Sequence, residues 1–181
     1  MDERSTLIWL NSIGIPSDKI ARFMEYYGNA SEIHAIEGDE LKSFGVFNEA
    51  QISSILDKKT INNLTDYMKK VRIKGAEIIT FLDDNYPQSL TDIEDRPIVL
   101  YVKGTLESKD KLSISIVGSR KATSYGKWVC EKLAGELVQL DVTIVSGLAL
   151  GIDTCAHKAA LENGGRTIAV LGSGIDRSEE R

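Results

Sequence analysis

The hydrophobic positions of this chain change period near residue 75. Before that point apolar residues recur at helical spacing: Ile20, Phe23, Met24 and Tyr27 in one stretch, Ile52, Ile55 and Leu56 in another, Leu64, Tyr67, Met68 and Val71 in a third. After it they gather into short β-branched or aromatic runs, Ile78 to Leu82, Ile98 to Val102, Ile114 to Val117, Val142 to Val145 and Thr167 to Leu171. A helical N-terminal region and an α/β C-terminal region follow from that change.

The helical region contains a degenerate repeat. Leu10 to Asp18 can be laid over Leu41 to Glu49, each copy reading as a helix end, a glycine turn at Gly14 or Gly45, and a new helix opened by Ser17 or Asn48 with an acid in its first turn. This pattern predicts two helix-hairpin-helix units and about five short helices over residues 2–59, then a further helix from Ile61 to Lys74 stopped by Gly75. Glycine turns of this kind can present backbone N–H groups to duplex phosphates. Here Pro16 has no N–H to offer and Phe47 fills the second turn, so the pattern favours a packing or protein-contact module over a duplex reader.

In the α/β region a pair of βαβ crossovers follow one another. The run at 114–117 leads through a loop, residues 118–125, into a helix with Val129, Leu133, Leu137 and Leu140 on its expected core stripe; the run at 142–145 leads into a helix from about Ile152 to Leu161. The fold class is therefore α/β: a Rossmann-like, mostly parallel sheet preceded by a small all-helical, tandem helix-hairpin-helix or SAM-like domain. The predicted boundaries are a helical domain at 1–65, a linker helix end at 66–76 and the Rossmann-like core at 77–181. Tyr86-Pro87 reads as a turn.

Three consecutive strand ends carry glycine with serine: Gly118-Ser119-Arg120, Ser146-Gly147, and Gly172-Ser173-Gly174. Ligands of open α/β sheets bind at the carboxyl ends of the strands, so these loops should share one site. A dinucleotide is disfavoured, because the first loop lacks GxGxxG spacing and the second strand ends in Ser146 instead of a ribose-binding acid. A Walker-type site fails because Trp128 follows Gly126-Lys127. Glycine N–H groups, serine hydroxyls, two helix starts and the Arg120 fork instead suit a phosphate oxygen.

Charge sharpens this. The net charge is −5, which speaks against a globally basic nucleic-acid binder, yet residues 111–130 hold Lys111, Arg120, Lys121 and Lys127 and no acid, a local +4. Residues 1–65 carry ten acids against six bases, which opposes a polyanion there. Cys130 and Cys155 lack metal or disulfide spacing and read as reduced core residues; no metal site and no cofactor are expected. Asp153 and His157, at i and i+4, read as a helix cap and a packed imidazole, and no catalytic residue is assigned. His34 stands alone. With no long apolar run and no cleavable signal pattern, the expectation is a cytoplasmic protein with no membrane partner.

Ile116-Val117-Gly118-Ser119-Arg120, then Val145 to Asp153 with Ala156-His157, then Thr167 to Asp176 resemble the DNA-processing protein A family (DprA, also called Smf). Tyr86-Pro87 with Leu90, and Pro97 followed by Leu100 to Gly104, are similar to that family's approach to its core. The resemblance implies a non-enzymatic protein that binds single-stranded DNA and hands it to the RecA recombinase in natural transformation, with a homodimer expected for a full-length member. It implies a backbone-binding pocket of Gly118, Ser119, Arg120, Ser146, Gly147, Gly172, Ser173 and Gly174; Lys121 joins them by charge and proximity. Two departures accompany it. Leu150 stands where the family usually has Arg, and the family's fold continues past Asp176 where this chain closes with residues 177–181, so a fragment or truncated form is expected. A Rossmann-like nucleotide-binding hydrolase or transferase, sharing only the core fold, is the alternative; a separate binding activity of residues 1–65 is a third.

Overall fold

The computed structural model of the chain describes residues 1–175. They form two compact units, the first Met1–Thr105 and the second from Leu106 onward.

The first unit is built around one helix. α1 (Glu3–Ser12) is capped by the Asp2 carboxylate, which accepts the Ser5 N–H, and its residues Thr6 to Leu10 are all buried. Five consecutive buried positions mean that α1 is enclosed on every side. Around it stand α2 (Ser17–Tyr27), α3 (Gly38–Phe44), α4 (Glu49–Leu56), α5 (Lys58–Asn62) and α6 (Leu64–Ile73). The two expected hairpins are α1–α2 and α3–α4, and Gly45 ends α3 in the left-handed conformation. Asn48 caps α4 in a reciprocal pair with Gln51. Ser17 does not cap α2: Pro16 takes that position, and the Ser17 hydroxyl instead accepts the Ile98 N–H.

That bond belongs to a second difference. β1 (Glu77–Thr80) and β2 (Val99–Val102) form their own antiparallel ladder, Glu77 opposite Val102 and Thr80 opposite Val99. Sequence reading groups them with the Rossmann-like core from residue 77; in the structure they close the helical unit, and the division falls after Thr105. The reason is burial, since Ile78, Ile98 and Val99 join the same core as Leu7, Trp9, Phe23 and Leu41. Polar ties reinforce it. Arg4 Nε donates to Asp83 Oδ1 at 2.7 Å, and the Tyr101 hydroxyl donates to Asn11 Oδ1 at 2.7 Å while accepting from Tyr67. Tyr86 is buried, its hydroxyl donating to the Pro97 carbonyl.

The second unit is a parallel sheet in the order β3 (Ser113–Ser115), β4 (Thr143–Ser146), β5 (Thr167–Ala169), connected by α7 (Ser124–Val138) and α8 (Ile152–Glu162). Right-handed crossovers with this order put both helices on one face. Their seam is made of small residues. Cys130, Ala134 and Val138 of α7 are buried with Cys155, Ala156, Ala159 and Ala160 of α8 against Ile144. The expected leucine stripe is thus displaced by one position: Leu133 and Leu140 are exposed, because only small side chains let the two helices and the sheet approach this closely. At the amino ends of the strands Arg166 grips both Asp110 oxygens, Nε to Oδ1 at 2.6 Å and Nη2 to Oδ2 at 2.9 Å, and Thr143 donates to the same carboxylate. Burial alone would raise the Asp110 pKa, but these hydrogen bonds hold it below the usual carboxylate value.

Candidate nucleic-acid interface

The loops predicted to form one site do lie together at the carboxyl ends of β3, β4 and β5, and a single side chain links the first two. Asp153, in the first turn of α8, is buried; its Oδ2 accepts the Gly147 N–H at 3.2 Å and its Oδ1 the Gly118 N–H at a longer 3.4 Å. A second tie is backbone to backbone, the Ile152 N–H donating to the Ser119 carbonyl at 3.2 Å. The residue between the loop and α8 is Gly151, with φ +88° and ψ −122°, where a Cβ would stand 2.7 Å from the Arg120 carbonyl oxygen and closer still to that of Ser119. Only glycine lets the two loops touch here.

This arrangement redistributes the roles expected from sequence. The N–H groups of Gly118 and Gly147 are engaged by an internal carboxylate, so they do not point free toward an incoming phosphate. Ser146 is buried and its hydroxyl donates to the Ile116 carbonyl at 2.6 Å, inside the sheet. Ser119 is exposed, and its Oγ accepts the Lys121 N–H at 3.1 Å, fixing the turn that carries both cations. Gly172, Ser173 and Gly174 are exposed beyond β5. Arg120, Lys121 and Lys127 are exposed, and among the described residues no hydrogen bond or ion pair engages their charged ends. Lys111, counted with them by sequence, stands before β3 at the opposite end of the strand. Asp176 and residues 177–181 lie outside the described residues.

The start of α7 completes the surface. Thr123 caps it, its Oγ1 accepting the Gly126 N–H at 3.1 Å, so the positive end of the helix follows directly on the Arg120–Lys121 loop in the chain. Beside Lys127 stand two exposed rings, Tyr125 and Trp128, stacked with centroids 6.1 Å apart. Sequence reading misses both this pair and the Asp153 tie. An aromatic at i and another at i+3 among lysines is the available signal for the first; nothing local announces that a carboxylate will reach back to two preceding loops.

His157 faces away from these loops. Thr167 Oγ1 donates to the Ile144 carbonyl, so it must accept from the His157 Nδ1–H at 2.6 Å, which leaves the Nε2 lone pair buried with no partner. Burial lowers the His157 pKa, while the charge of Asp153 works in the opposite direction and does not cancel it. Cys130 and Cys155 are free, buried thiols, and burial together with the hydrogen bond to Cys155 pushes Cys130 up to about 12, which makes it inert. A cleft of about 520 Å³ lies at the other end of the sheet, lined by Gln139, Thr143, Asn163 and Arg166, away from the three loops. No described helix is long and apolar enough to cross a membrane, and the described residues hold no cluster suited to a metal ion.

Comparison with known proteins places this surface in context. Residues 77–180 match the family described as DNA recombination-mediator protein A. The chain is 35% identical over 167 residues to DNA processing protein DprA of Streptococcus pneumoniae, covering 92% of this chain and 57% of that one. It is 34% identical over 184 residues to protein Smf of Escherichia coli, covering 97% of this chain and 46% of the relative. The X-ray structure of DNA processing protein A from Streptococcus pneumoniae superposes with a TM-score of 0.72 at 34% identity, over 93% of this chain and 57% of that chain. The chain thus spans about half the length of the curated relatives it matches.

Proposed function

The chain belongs to the DNA recombination-mediator protein A family, and on that premise we propose that it binds single-stranded DNA through the Gly118–Lys121 loop and delivers it to the RecA recombinase during natural transformation, without doing chemistry on it. In this reading Arg120 and Lys121 pair with successive phosphates, Ser119 shapes the turn between them, and the α7 start adds the positive end of its dipole. Gly147 and Ser146 act from behind, holding the second loop in place, and Gly172 to Gly174 border the path of the strand. The full-length homodimer and the RecA contact belong to the same proposal.

One observation carries it: three exposed cations, Arg120, Lys121 and Lys127, without an internal partner among the described residues, cluster at the carboxyl ends of a parallel sheet on a loop anchored by Asp153 and Gly151. The absence of chemistry is supported by the same geometry. The Asp153 carboxylate is taken up by the loops' own N–H groups, and His157 is directed away from them to Thr167, so neither is offered to a substrate as a base.

The test is a titration of fluorescent single-stranded and duplex oligonucleotides at two or more salt concentrations, with the parent chain and Arg120→Ala. Removing one phosphate contact should weaken single-strand binding and reduce the slope of log K against log salt by about 0.7. An Arg120→Ala chain with the parent's affinity and slope rules the assigned loop out.

A further inference from the structure

We propose that Tyr125 and Trp128 form a stacking platform for unpaired bases of the strand whose phosphates the Arg120–Lys121 loop takes; this rests on the reading of that loop as the backbone site. The two rings occupy i and i+3 at the start of α7, stacked at an interplanar angle of 29°, and are 73% and 55% exposed. Lys132, one further turn along, holds its Nζ 5.7 Å from the Trp128 ring centroid. At about 100° per residue, positions 125, 128 and 132 share one face of the helix, roughly opposite Cys130, Ala134 and Val138, which meet α8. The rings therefore contribute nothing to the core of their own unit.

Other aromatic side chains have packing roles. Trp9, Phe23, Phe47 and Tyr86 are buried, and Tyr26, though exposed, lies against Tyr27 and Phe44. An exposed tryptophan on the far face of a helix needs a different occupant, and the charges beside it select one. Arg120, Lys121 and Lys127 precede or flank the pair, and residues 111–130 contain no acid. The next acid, Glu131, approaches the Cys155 thiol at 3.8 Å and so turns toward α8; Glu136 lies 3.9 Å from Lys132. A phosphate-bearing chain with flat apolar groups fits this combination, since aromatic faces accept any base while cations track its backbone. A duplex does not: its bases are already stacked on one another. The platform thus gives the loop a preference for single strands that phosphate contacts alone lack.

The experiment compares a thymidine homo-oligomer with an abasic phosphodiester strand of equal length, using the full chain. Of its two tryptophans, Trp9 is buried and Trp128 exposed, so quenching on addition of the oligomer reports Trp128. The double variant Tyr125→Ala/Trp128→Ala should bind the thymidine oligomer about 10-fold or more weakly, with an unchanged salt slope and unchanged affinity for the abasic strand. Trp128→Phe should retain most of the affinity. Both sites are exposed, so thermal midpoints should match the parent's. Parent-like binding of the oligomer by the double variant, with no Trp128 quenching in the parent, overturns the platform even if Arg120→Ala lowers the slope. A loss confined to the base-bearing strand, with Arg120→Ala silent, upholds the platform and moves the phosphate site elsewhere.

Discussion

Replacing Gly151 by alanine tests how the candidate interface is held together. Gly151 has φ +88° and ψ −122°, a region that side chains other than hydrogen enter only under strain of about 1–3 kcal/mol. The added methyl would also meet the Ser119 and Arg120 carbonyl oxygens, the latter at 2.7 Å, so the loop backbone must retreat by about 1 Å to reach ordinary contact. That retreat removes the Ile152 N–H bond to Ser119, a loss of about 1 kcal/mol. Together these predict a destabilisation of about 2–4 kcal/mol and a misplaced Arg120. Gly164→Ala is the control: it also has positive φ, +73°, but nothing lies within 4 Å of its Cβ position, so only about 1 kcal/mol is expected and DNA binding should be untouched. Urea unfolding of the full chain, followed by single-strand titration in native buffer, measures both quantities. Equal losses for the two variants, or parent-like binding by Gly151→Ala, would refute the close approach as the device that positions the loop.

Two further outcomes are expected of the same unit. Asp153→Asn keeps the size of the side chain but turns one acceptor into a donor facing backbone N–H groups; it should cost about 1–3 kcal/mol in urea unfolding and weaken single-strand binding, although it removes a negative charge from beneath a site proposed for phosphate. A rise in affinity would mean that its charge, not its hold on the loops, dominates. Stability should also fall as pH drops below about 6.5, since the unfolded chain then takes up protons that the buried His157 and His34, whose Nε2 meets the Thr6 hydroxyl, both with lowered pKa, resist. His157→Gln should flatten that dependence without abolishing it; the contribution of Asp110, whose folded pKa is depressed, persists until pH falls through the ordinary aspartate value near about 3.9.

Much of the architecture is legible in the order of residues. The change of period near residue 75, the Gly14 and Gly45 turns and the glycine-ended strands are local signals, and the structure follows them. What escapes is decided by burial across distance. β1 and β2 carry no mark that assigns them to α1 instead of the parallel sheet; their allegiance comes from Ile78 and Val99 finding the core of Leu7 and Trp9, and from Tyr101 meeting Asn11. The α7 stripe misleads because leucine outranks alanine on any hydrophobic scale, whereas the seam is filled by the smaller Cys130, Ala134 and Val138. At the interface, the cations are visible but the fate of the N–H groups is not, because Asp153 lies 35 residues from Gly118 in the chain.

The small-residue seam between α7 and α8 bears on how such a chain can diverge. Both helices begin at the strand-end loops, so their spacing sets the distance between Thr123 and Gly151. An enlargement at Ala134, Ala156 or Ala160, all with no exposure, would wedge the helices apart and be felt at the loops. Drift along the seam is therefore restricted by the surface at its end, and compensated pairs, one side chain growing as its opposite shrinks, are the substitutions open to it.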